Sequence, residues 1–387
     1  MTKTLILSTM EMDNPSAAVE EILSQIDLEK DLLTNSIGII SCHHEFATLG
    51  AIKDICNALP FDVVGIVASP LTDGTTADVF LLSILVITSD DVEFIIAETP
   101  SLLSDIEEGI IQSYKKANSH KNEKPTMVFA YAPFMIQNSG DTYVKALTDA
   151  TNNAPIFGSL AMDFSEDFAN CYTIFNDKHY ADKMIVISAY GNLHPKFHVA
   201  NISPEKISDQ KALVTKSNGH AVIEVNNRPV RDYFESLGLL KASETFSAMS
   251  NIPFLVDYKD GTPMVSKIFV NLTSEGHALF AGAIPENSDI FVARTDKADV
   301  LATTGQLIDQ ILEDAPNALA ILAYPCVVRT LALGSDYLGE LEMVSQKVTD
   351  KIPLLMSYSG GEFCPTQITD EVAINRFHNN AFVVCVL

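Results

Sequence analysis

The sequence predicts an α/β fold of two domains, each with a mixed sheet flanked by helices. The chain has 387 residues, which is enough for about two domains of ordinary size. Continuous apolar runs, typical of strands buried on both faces, alternate with segments of helical period. The order strand, helix, strand recurs along the chain, and repetition at this length indicates duplicated β-α-β-β modules.

The first third of the chain alternates predicted strands and helices. Five apolar runs are predicted strands: Thr4–Ser8, Ile37–Ser41, Val63–Ala68, Val79–Thr88 and Glu93–Ala97. A helix is predicted after Asn14-Pro15, with Ser16 as its cap. Two further segments have helical period, Leu49–Leu59 and Leu103–Ala117.

Two later segments repeat one pattern of strand, helix, strand, strand. The first consists of Met127–Ala132, Asp141–Asn152, Pro155–Leu160 and Met184–Ala189, and the second of Ala318–Tyr324, Leu338–Asp350, Pro353–Tyr358 and Phe382–Val386. In both, a proline ends the first strand and another begins the second, which favours a real duplication. The segment Ile37–Thr88 is similar enough to be a looser copy.

Between these two copies the sequence predicts antiparallel hairpins. His194–Ile202 and Lys211–Val225 alternate apolar and polar residues and are separated by turn residues. Further strands and two helices are predicted downstream, over Ile268–Asn271, Ala278–Ala281, Ile290–Thr295, Val230–Leu240 and Lys297–Asp314. The polar stretch Asn201–Lys211 is the expected boundary, which divides the chain into domains 1–205 and 206–387.

The charge of the chain limits its partners. The formal net charge is −25 at pH 7, and no cluster of lysine and arginine interrupts it in sequence. The negative electrostatic potential of such a chain repels phosphate backbones and anionic membrane surfaces. We therefore do not expect nucleic acid as a partner. The apolar window Val79–Thr88 is about half a membrane span, and Met1–Leu7 is too short for a signal peptide. We therefore expect a cytoplasmic protein without membrane insertion.

Cysteine and histidine spacing gives little support to a metal site or an enzyme. None of the six cysteines forms a C-x-x-C pair, which argues against a zinc site. His43-His44 is the best adjacent histidine pair, but neighbouring strand residues face opposite ways and do not easily bind one metal. Cys326 or Cys364 with His378 could form a Cys/His nucleophile pair, although no catalytic signature surrounds either cysteine.

The candidate site lies in the last segment of the chain, Leu354–Leu387. Its apolar runs enclose Gly360-Gly361, Glu362 and His378-Asn379. Ligands collect beyond the carboxyl ends of strands in sheets with helical crossovers, and Arg329, which follows the apolar run Ala318–Ala323, is expected at the same edge.

We expect the charged side chains of this edge to bind a zwitterion such as an amino acid. Arg329 would hold its carboxylate and Glu362 its ammonium group, and His378 would offer a hydrogen bond. A structural ion pair of Arg329 with Glu340 or Glu362 is the alternative.

Several of these segments carry a family resemblance. Gly360–Gln367 (GGEFCPTQ), Phe377–Asn380 (FHNN) and Cys326–Arg329 (CVVR) resemble the end of the C-terminal domain of the FIST family. Gly334 and Glu340 fall where that domain tends to have glycine and glutamate. Upstream, PIFGSLAMD, from Pro155 to Asp163, resembles an element of the FIST N-terminal domain. The sequence departs from the family pattern at Ser159, where a second glycine is common, and at Asn380.

The resemblance implies a sensory module that binds a small ligand in signal transduction. We expect ligand contacts at seven positions: Cys326, Arg329, Gly360, Gly361, Glu362, His378 and Asn379. Amino acids are ligands suggested for the family. Because no output-domain signature is present, the signal is expected to pass to a separate protein.

Haem is the alternative cofactor, because one branch of the family binds haem through a histidine and senses nitric oxide. Such a sensor would regulate a separate kinase or cyclic-dinucleotide partner. The candidate ligands are four histidines: His179, His194, His198 and His378.

Overall fold

The computed structural model describes residues 1–163, 168–241, 252–348 and 352–387. Within these ranges the strands form three six-stranded sheets and one seven-stranded sheet. Helices cover the outer faces of the six-stranded sheets. The chain is an α/β protein with mixed sheets flanked by helices, which confirms the predicted fold class. None of the helices in the described ranges is long and apolar enough to cross a membrane.

The first module extends to Ser89. Its elements are β1 (Thr2–Thr9), α1 (Pro15–Ser24), β2 (Asn35–Cys42), α2 (His44–Thr48), α3 (Ala51–Ala58), β3 (Asp62–Val67), β4 (Leu71–Thr72), β5 (Ala77–Asp78) and β6 (Leu82–Ser89). The cap of α1 is Asn14, whose side chain accepts a hydrogen bond from the N–H of Ala17 at 3.2 Å. The prediction of Ser16 as the cap is wrong, because Asn14 already satisfies this N–H from the position before Pro15.

The second module follows directly. Its elements are β7 (Val92–Glu98), α4 (Ile106–Ala117), β8 (Met127–Pro133), α5 (Gly140–Ala150), β9 (Ile156–Ala161), β10 (Thr173–Phe175), β11 (Lys178–Tyr180) and β12 (Ile185–Gly191). All residues of β8 and β9 are buried. Burial on both faces explains why these strands are continuous apolar runs rather than alternating ones.

The chain then forms one strand of the third module and the seven-stranded sheet. The elements are β13 (Lys196–Ala200), β14 (Ile207–Asn218), β15 (Ala221–Val225), β16 (Arg228–Pro229), α6 (Val230–Ser236), β17 (Pro253–Asp257), β18 (Val265–Leu272), β19 (Ala278–Phe280) and β20 (Asp289–Ala293). All strand pairs of this sheet are antiparallel, as the alternating sequence predicts. The sheet has its own aromatic core, which includes Phe234, Phe254, Phe269 and Phe280.

The third module completes the chain. Its elements are α7 (Lys297–Asp314), β21 (Ile321–Pro325), α8 (Arg329–Leu333), α9 (Gly339–Val348), β22 (Leu354–Ser357), β23 (Glu362–Thr369), β24 (Val372–His378) and β25 (Phe382–Val386). The predicted helix Leu338–Asp350 corresponds to α9, and its last two predicted residues lie outside the described ranges.

The three modules share one strand order. The sheets begin β1-β6-β2-β3, β7-β12-β8-β9 and β13-β25-β21-β22. In each, the last two strands are parallel and joined through helices, and the first two pair antiparallel. The predicted duplication is confirmed, and the first segment, β1 to β6, is the third copy.

Each sheet is completed by a hairpin from another module. The β10–β11 hairpin extends the first module at β3, β23–β24 extends the second at β9, and β4–β5 extends the third at β22. Equivalent backbone hydrogen bonds mark the three crossings: the N–H groups of Val67, Leu160 and Tyr358 donate to Tyr172, Gly361 and Pro70 at 2.9, 2.9 and 3.1 Å. This cyclic exchange binds the three modules into one body around a pseudo-threefold axis.

A common apolar core lies between the three sheets. It contains side chains from the inner faces of all three modules, including Ile39, Ile66, Phe129, Tyr324 and Val383. The outer faces of the sheets form three separate clusters with their helices.

The expected domain boundary in Asn201–Lys211 stays a prediction. This stretch contains a short 3-10 helix, Pro204–Lys206, and the first residues of β14. It therefore marks the point at which the chain leaves the body and enters the seven-stranded sheet.

Candidate functional site

The β23–β24 hairpin places three polar residues side by side. Glu362, the first residue of β23, lies directly opposite Ser159 of β9 and also opposite His378, the last residue of β24. Directly opposite residues in antiparallel pairs lie on the same face of a sheet. Cys364, two residues after Glu362, belongs to the common core, so this face is the inner one. The sequence predicted that Glu362 and His378 flank a polar loop, but they belong to paired strands.

Glu362 is a buried carboxyl group with half of its hydrogen-bonding capacity unused. Its Oε1 accepts a hydrogen bond from the hydroxyl of Ser359 at 3.1 Å, whereas Oε2 has no partner. Burial raises the pKa of Glu362 well above its ordinary value of 4.5. The carboxyl group is therefore held toward its protonated form by the lack of water and of a counter-ion.

His378 is buried and neutral, and its tautomer follows from its single contact. Its Nε2 lies 3.1 Å from the carbonyl oxygen of Cys364. A carbonyl oxygen only accepts, so Nε2 carries the proton and Nδ1 is a bare acceptor without a partner. Burial lowers the pKa of His378 to about 3. The ring therefore offers an uncharged acceptor to the interior at neutral pH.

Asn379 and Ser266 extend this group of polar side chains toward the seven-stranded sheet. The N–H of Asn379 donates to the carbonyl of Ser266, in β18, at 3.2 Å. The Oδ1 of Asn379 and the hydroxyls of Ser266 and Ser159 are buried without partners. We refer to Ser159, Ser266, Glu362, His378 and Asn379 as the Glu362 cluster.

The glycine pair before Glu362 is required by close packing. Gly361 has a φ of +136°, and a Cβ there would overlap the ring of Phe377. At Gly360 a Cβ would lie 3.2 Å from Met162 and from Phe134. Both glycines are thus crowded by the protein's own side chains where the chain crosses from the third module to the second.

Arg329 does not join the Glu362 cluster. It is buried, and its Nη2 donates to Glu340 at 2.6 Å and to the hydroxyl of Thr304 at 2.8 Å, while Nε donates to Glu340 at 3.1 Å. The hydroxyl of Tyr358 donates to the other carboxylate oxygen of Glu340 at 2.6 Å. We refer to Thr304, Arg329, Glu340 and Tyr358 as the Arg329 cluster. Its contacts are those of the structural ion pair that the sequence left open as the alternative.

A buried lysine was missed by sequence reasoning. Lys267 is fully buried in β18, and its Nζ donates to Asp141 at 2.9 and 3.1 Å and to the carbonyl of Phe377 at 2.7 Å. It fastens the seven-stranded sheet to α5 and to β24. The only signal in the sequence was a lysine inside an apolar run, which is equally typical of an exposed strand residue.

The pseudo-threefold axis creates two corners equivalent to the Glu362 corner. In the first module, Thr173 and Tyr180 stand where Glu362 and His378 stand, and their hydroxyls donate to the carbonyl of Lys183 at 2.8 Å and to Glu98 at 3.2 Å. In the third module, the equivalent of Ser159 is Ser357, which shares a 3.0 Å hydrogen bond with Ser41. The side chains named at these two corners have partners, and the unused atom beside them is the single hydroxyl of Ser83, opposite Ser41. The Glu362 corner differs because a carboxyl, an imidazole and an amide there each have an unused atom.

Comparison with known protein families identifies the chain. The FIST N domain model matches residues 36–228 and the FIST C domain model matches residues 231–365, which together cover most of the sequence. The chain belongs to the FIST family. Domains of this family are associated with the sensing of small ligands in signalling. No curated protein sequence matches this FIST protein.

Solved structures are similar to this FIST protein only at a low level. Cyanuric acid hydrolase from A. caulinodans has 9% identity and a TM-score of 0.35, with 100% of this chain and 99% of that chain covered. PurLQS from Thermotoga maritima has 10% identity and a TM-score of 0.21, with 100% and 72% covered. Scores this low carry no information about chemistry.

The predicted nucleophile pair is not assembled in this FIST protein. Cys326 and Cys364 are buried, and burial raises the pKa of both thiols well above the ordinary value. His378 contacts the carbonyl of Cys364 rather than its thiol. Since the thiolate is the nucleophile, neither cysteine is activated.

Of the four histidines proposed as haem ligands, His198 is half-buried in β13, and the other three do not form a haem site in this structure. His378 is enclosed, with Nε2 bonded to the backbone, and His179 and His194 are exposed. A surface cavity of about 290 Å³ is lined by His194, and a larger one of about 870 Å³, beside Leu33, Cys56 and Phe61, has no histidine in its lining. The described residues also contain no group of three or more His, Cys, Asp or Glu side chains placed to hold a metal ion.

Proposed function

We propose that this FIST protein binds a small polar molecule at the Glu362 cluster and reports its presence to a separate signalling protein. The observation that carries the proposal is the concentration of unused polar atoms in one buried place. Five buried side chains there each have an atom without a partner: Ser159, Ser266, Glu362, His378 and Asn379.

The energetic reason is the cost of leaving such atoms unpaired. A buried donor or acceptor without a partner lowers the free energy of unfolding by about 1–3 kcal/mol. Several such atoms in one place therefore destabilise a protein of ordinary stability considerably. Most buried polar groups in folded proteins have partners, and exceptions call for a specific reason. A ligand that supplies the missing partners would recover this free energy as binding energy.

The seven-stranded sheet covers the Glu362 cluster. Movement of this sheet on ligand binding could therefore serve as the signal. β18 lies over β24 and is joined to it by the Asn379–Ser266 hydrogen bond and by Lys267. Arg376 of β24 also pairs with Asp260, which follows β17. Ile268 of β18 also packs in a small apolar cluster with Cys326 and Val328, which follow β21. Because the cluster is fully enclosed, ligand exchange requires this sheet to separate from β24, and the closed form would be the one that the ligand stabilises.

A thermal-shift screen with a library of small polar metabolites tests the proposal. A ligand at 100 times its Kd should add about 2.7 kcal/mol of stability. His378→Gln should abolish the shift, because it removes the bare Nδ1 acceptor. Tyr180→Phe at the equivalent corner is the matched control and should leave the shift unchanged. A hit that stabilises the His378 variant as well as the wild type would place the ligand elsewhere.

A further inference from the structure

We propose that the group recognised at the Glu362 cluster is a protonated amine, held by the Oε2 of Glu362, the Nδ1 of His378 and the Oδ1 of Asn379. This inference rests on the proposed function, because it names the chemical class of the ligand for the same site. The three atoms are buried and have no partners.

When Glu362 is ionised, the unused atoms of Glu362, His378 and Asn379 are all acceptors. His378 Nδ1 can only accept, because its proton is on Nε2 opposite the Cys364 carbonyl. Asn379 presents its amide oxygen, and Glu362 its Oε2. The hydroxyls of Ser159 and Ser266 can both accept and donate. A ligand group with several N–H donors and no acceptor matches three acceptors, and an ammonium group has three such donors.

The charges around the cluster favour a cation over a neutral amide. Three nearby cationic side chains already have counter-ions: Arg329 pairs with Glu340, Lys267 with Asp141, and Arg376 with Asp260. Among the described residues Glu362 makes no ion pair, although it is fully buried and the Arg376–Asp260 pair is partly exposed. A buried ionised carboxylate requires a paired cation, so an incoming ammonium ion would complete the balance of charge.

No carboxylate clamp accompanies this amine site. The guanidinium group of Arg329, which was expected to bind a ligand carboxylate, is instead hydrogen-bonded to Glu340 through Nε and Nη2. The recognised feature is therefore the amine, and a ligand carboxylate is dispensable.

Binding of an ammonium ion should release one proton. The groups that act on Glu362 are Ser359, Cys326, Arg329 and Glu340, with Lys267, Cys364 and the neutral His378 close by. In the free protein, burial holds Glu362 protonated. Ionisation on pairing with the ammonium releases that proton, so affinity should rise up to about tenfold per pH unit below the pKa of free Glu362.

The test compares four probes in thermal-shift and calorimetric titrations: ethylammonium chloride, L-alanine, sodium propionate and tetramethylammonium chloride. We expect saturable stabilisation by ethylammonium and by L-alanine in the wild type and in Tyr180→Phe. Propionate, which lacks the amine, and tetramethylammonium, which lacks N–H donors, should give none. In Glu362→Gln, affinity for ethylammonium should fall about 10- to 100-fold. Titration in a weakly buffered solution without amines, followed with a pH indicator, should show release of about one proton per ligand.

The outcomes separate this inference from the proposed function. If ethylammonium stabilises the protein no more than tetramethylammonium does, or if propionate stabilises it equally, the amine inference is overturned. A library compound without an amine that loses its effect in His378→Gln would then still support the proposed function. Equal binding of ethylammonium by the wild type and by Glu362→Gln overturns the assignment of Glu362. Binding without proton release overturns the ionisation step.

Discussion

Two buried polar clusters, the Arg329 cluster and the Glu362 cluster, contrast sharply in how their atoms are used. In the Arg329 cluster, the guanidinium, a carboxylate and two hydroxyls bond to one another, and both carboxylate oxygens of Glu340 have partners. In the Glu362 cluster, a carboxyl, an imidazole and an amide each keep one atom without a partner. The residue types are similar and burial is complete in both.

The contrast shows why residue type alone does not identify a binding site. An arginine or glutamate that satisfies another buried side chain contributes to the fold and has nothing left for a ligand. A polar group with unused capacity contributes less to stability and can contribute to binding. Five predictions test this division, ordered from the largest expected effect to the smallest.

Arg329→Ala should destabilise the protein most, by about 3–5 kcal/mol, because it leaves the Glu340 carboxylate buried without its counter-ion. Urea unfolding followed by circular dichroism measures the change. The double variant Arg329→Met/Glu340→Leu should recover part of the loss, since it removes both charges. Unchanged stability together with lost ligand affinity would return Arg329 to the binding site.

Gly361→Ala should destabilise the protein by about 1–3 kcal/mol through its positive φ alone, with the overlap on Phe377 adding to this. Gly219, which has a φ of +58° and open space around its Cβ position, is the matched control for backbone strain. The difference between Gly361→Ala and Gly219→Ala in urea unfolding reports the packing overlap together with the greater backbone strain at a φ of +136°. Equal effects would mean that the crossover before Glu362 is not tightly packed.

The pH dependence of stability should show opposite contributions from Glu362 and His378. Above pH 6.5, and only as far as its raised folded-state pKa, Glu362 keeps in the folded state a proton that the unfolded state has lost, so its contribution to stability falls as pH rises, by at most about 1.4 kcal/mol per pH unit. Below pH 4.5 the unfolded state protonates both groups and the folded state only Glu362, so stability falls as pH falls. Between these values the two contributions cancel.

Glu362→Gln isolates the alkaline part of this profile. The variant should be increasingly more stable than the wild type above pH 4.5, because the unfolded wild type gains free energy by ionising the carboxyl group. Urea unfolding at pH 5, 6, 7 and 8 measures the difference. A constant difference across these pH values would show that Glu362 ionises in the folded protein as readily as in the unfolded chain.

Tyr180→Phe should have the smallest effect, within about 1.5 kcal/mol, because it removes one hydrogen bond to the partly exposed Glu98. Tyr180 stands at the position equivalent to His378, so His378→Gln is its counterpart in the Glu362 corner. Ligand-induced stabilisation should persist in the tyrosine variant and be lost in the histidine variant. Loss in both would mean that the two corners act together.

The repeated modules show how much of the strand arrangement can be predicted from the periodicity of the sequence. Continuous apolar runs and recurrent proline positions predicted the parallel strand pairs of the second and third modules, and the antiparallel last strand of the third. The exchange of hairpins between modules was not predictable from the sequence. It depends on which neighbouring sheet has its edge strand within reach of each hairpin, and only the folded chain decides this. For this reason Glu362 and His378 were expected on either side of a polar loop and not opposite each other in paired strands.

Candidate residues were predicted better than their partners. Glu362, His378 and Asn379 were singled out by their position after apolar strands and by the family resemblance, and the structure brings them together. Ser266 and Lys267 were not found, since they come from the seven-stranded sheet and nothing in their own segment indicates contact with β24. Arg329 was expected beside Glu362, and Glu340 had been left as its alternative partner.

The sequence by itself determined the class of fold, the repetition of modules and the polar residue types near the strand ends, because these follow from local periodicity and composition. The tertiary structure alone decided which polar atoms are satisfied. Hydrogen bonding is a pairwise property of atoms far apart in the chain: Thr304 reaches Arg329, Ser359 reaches one oxygen of Glu362, and no described side chain reaches the other. That difference separates a structural ion pair from a candidate ligand site.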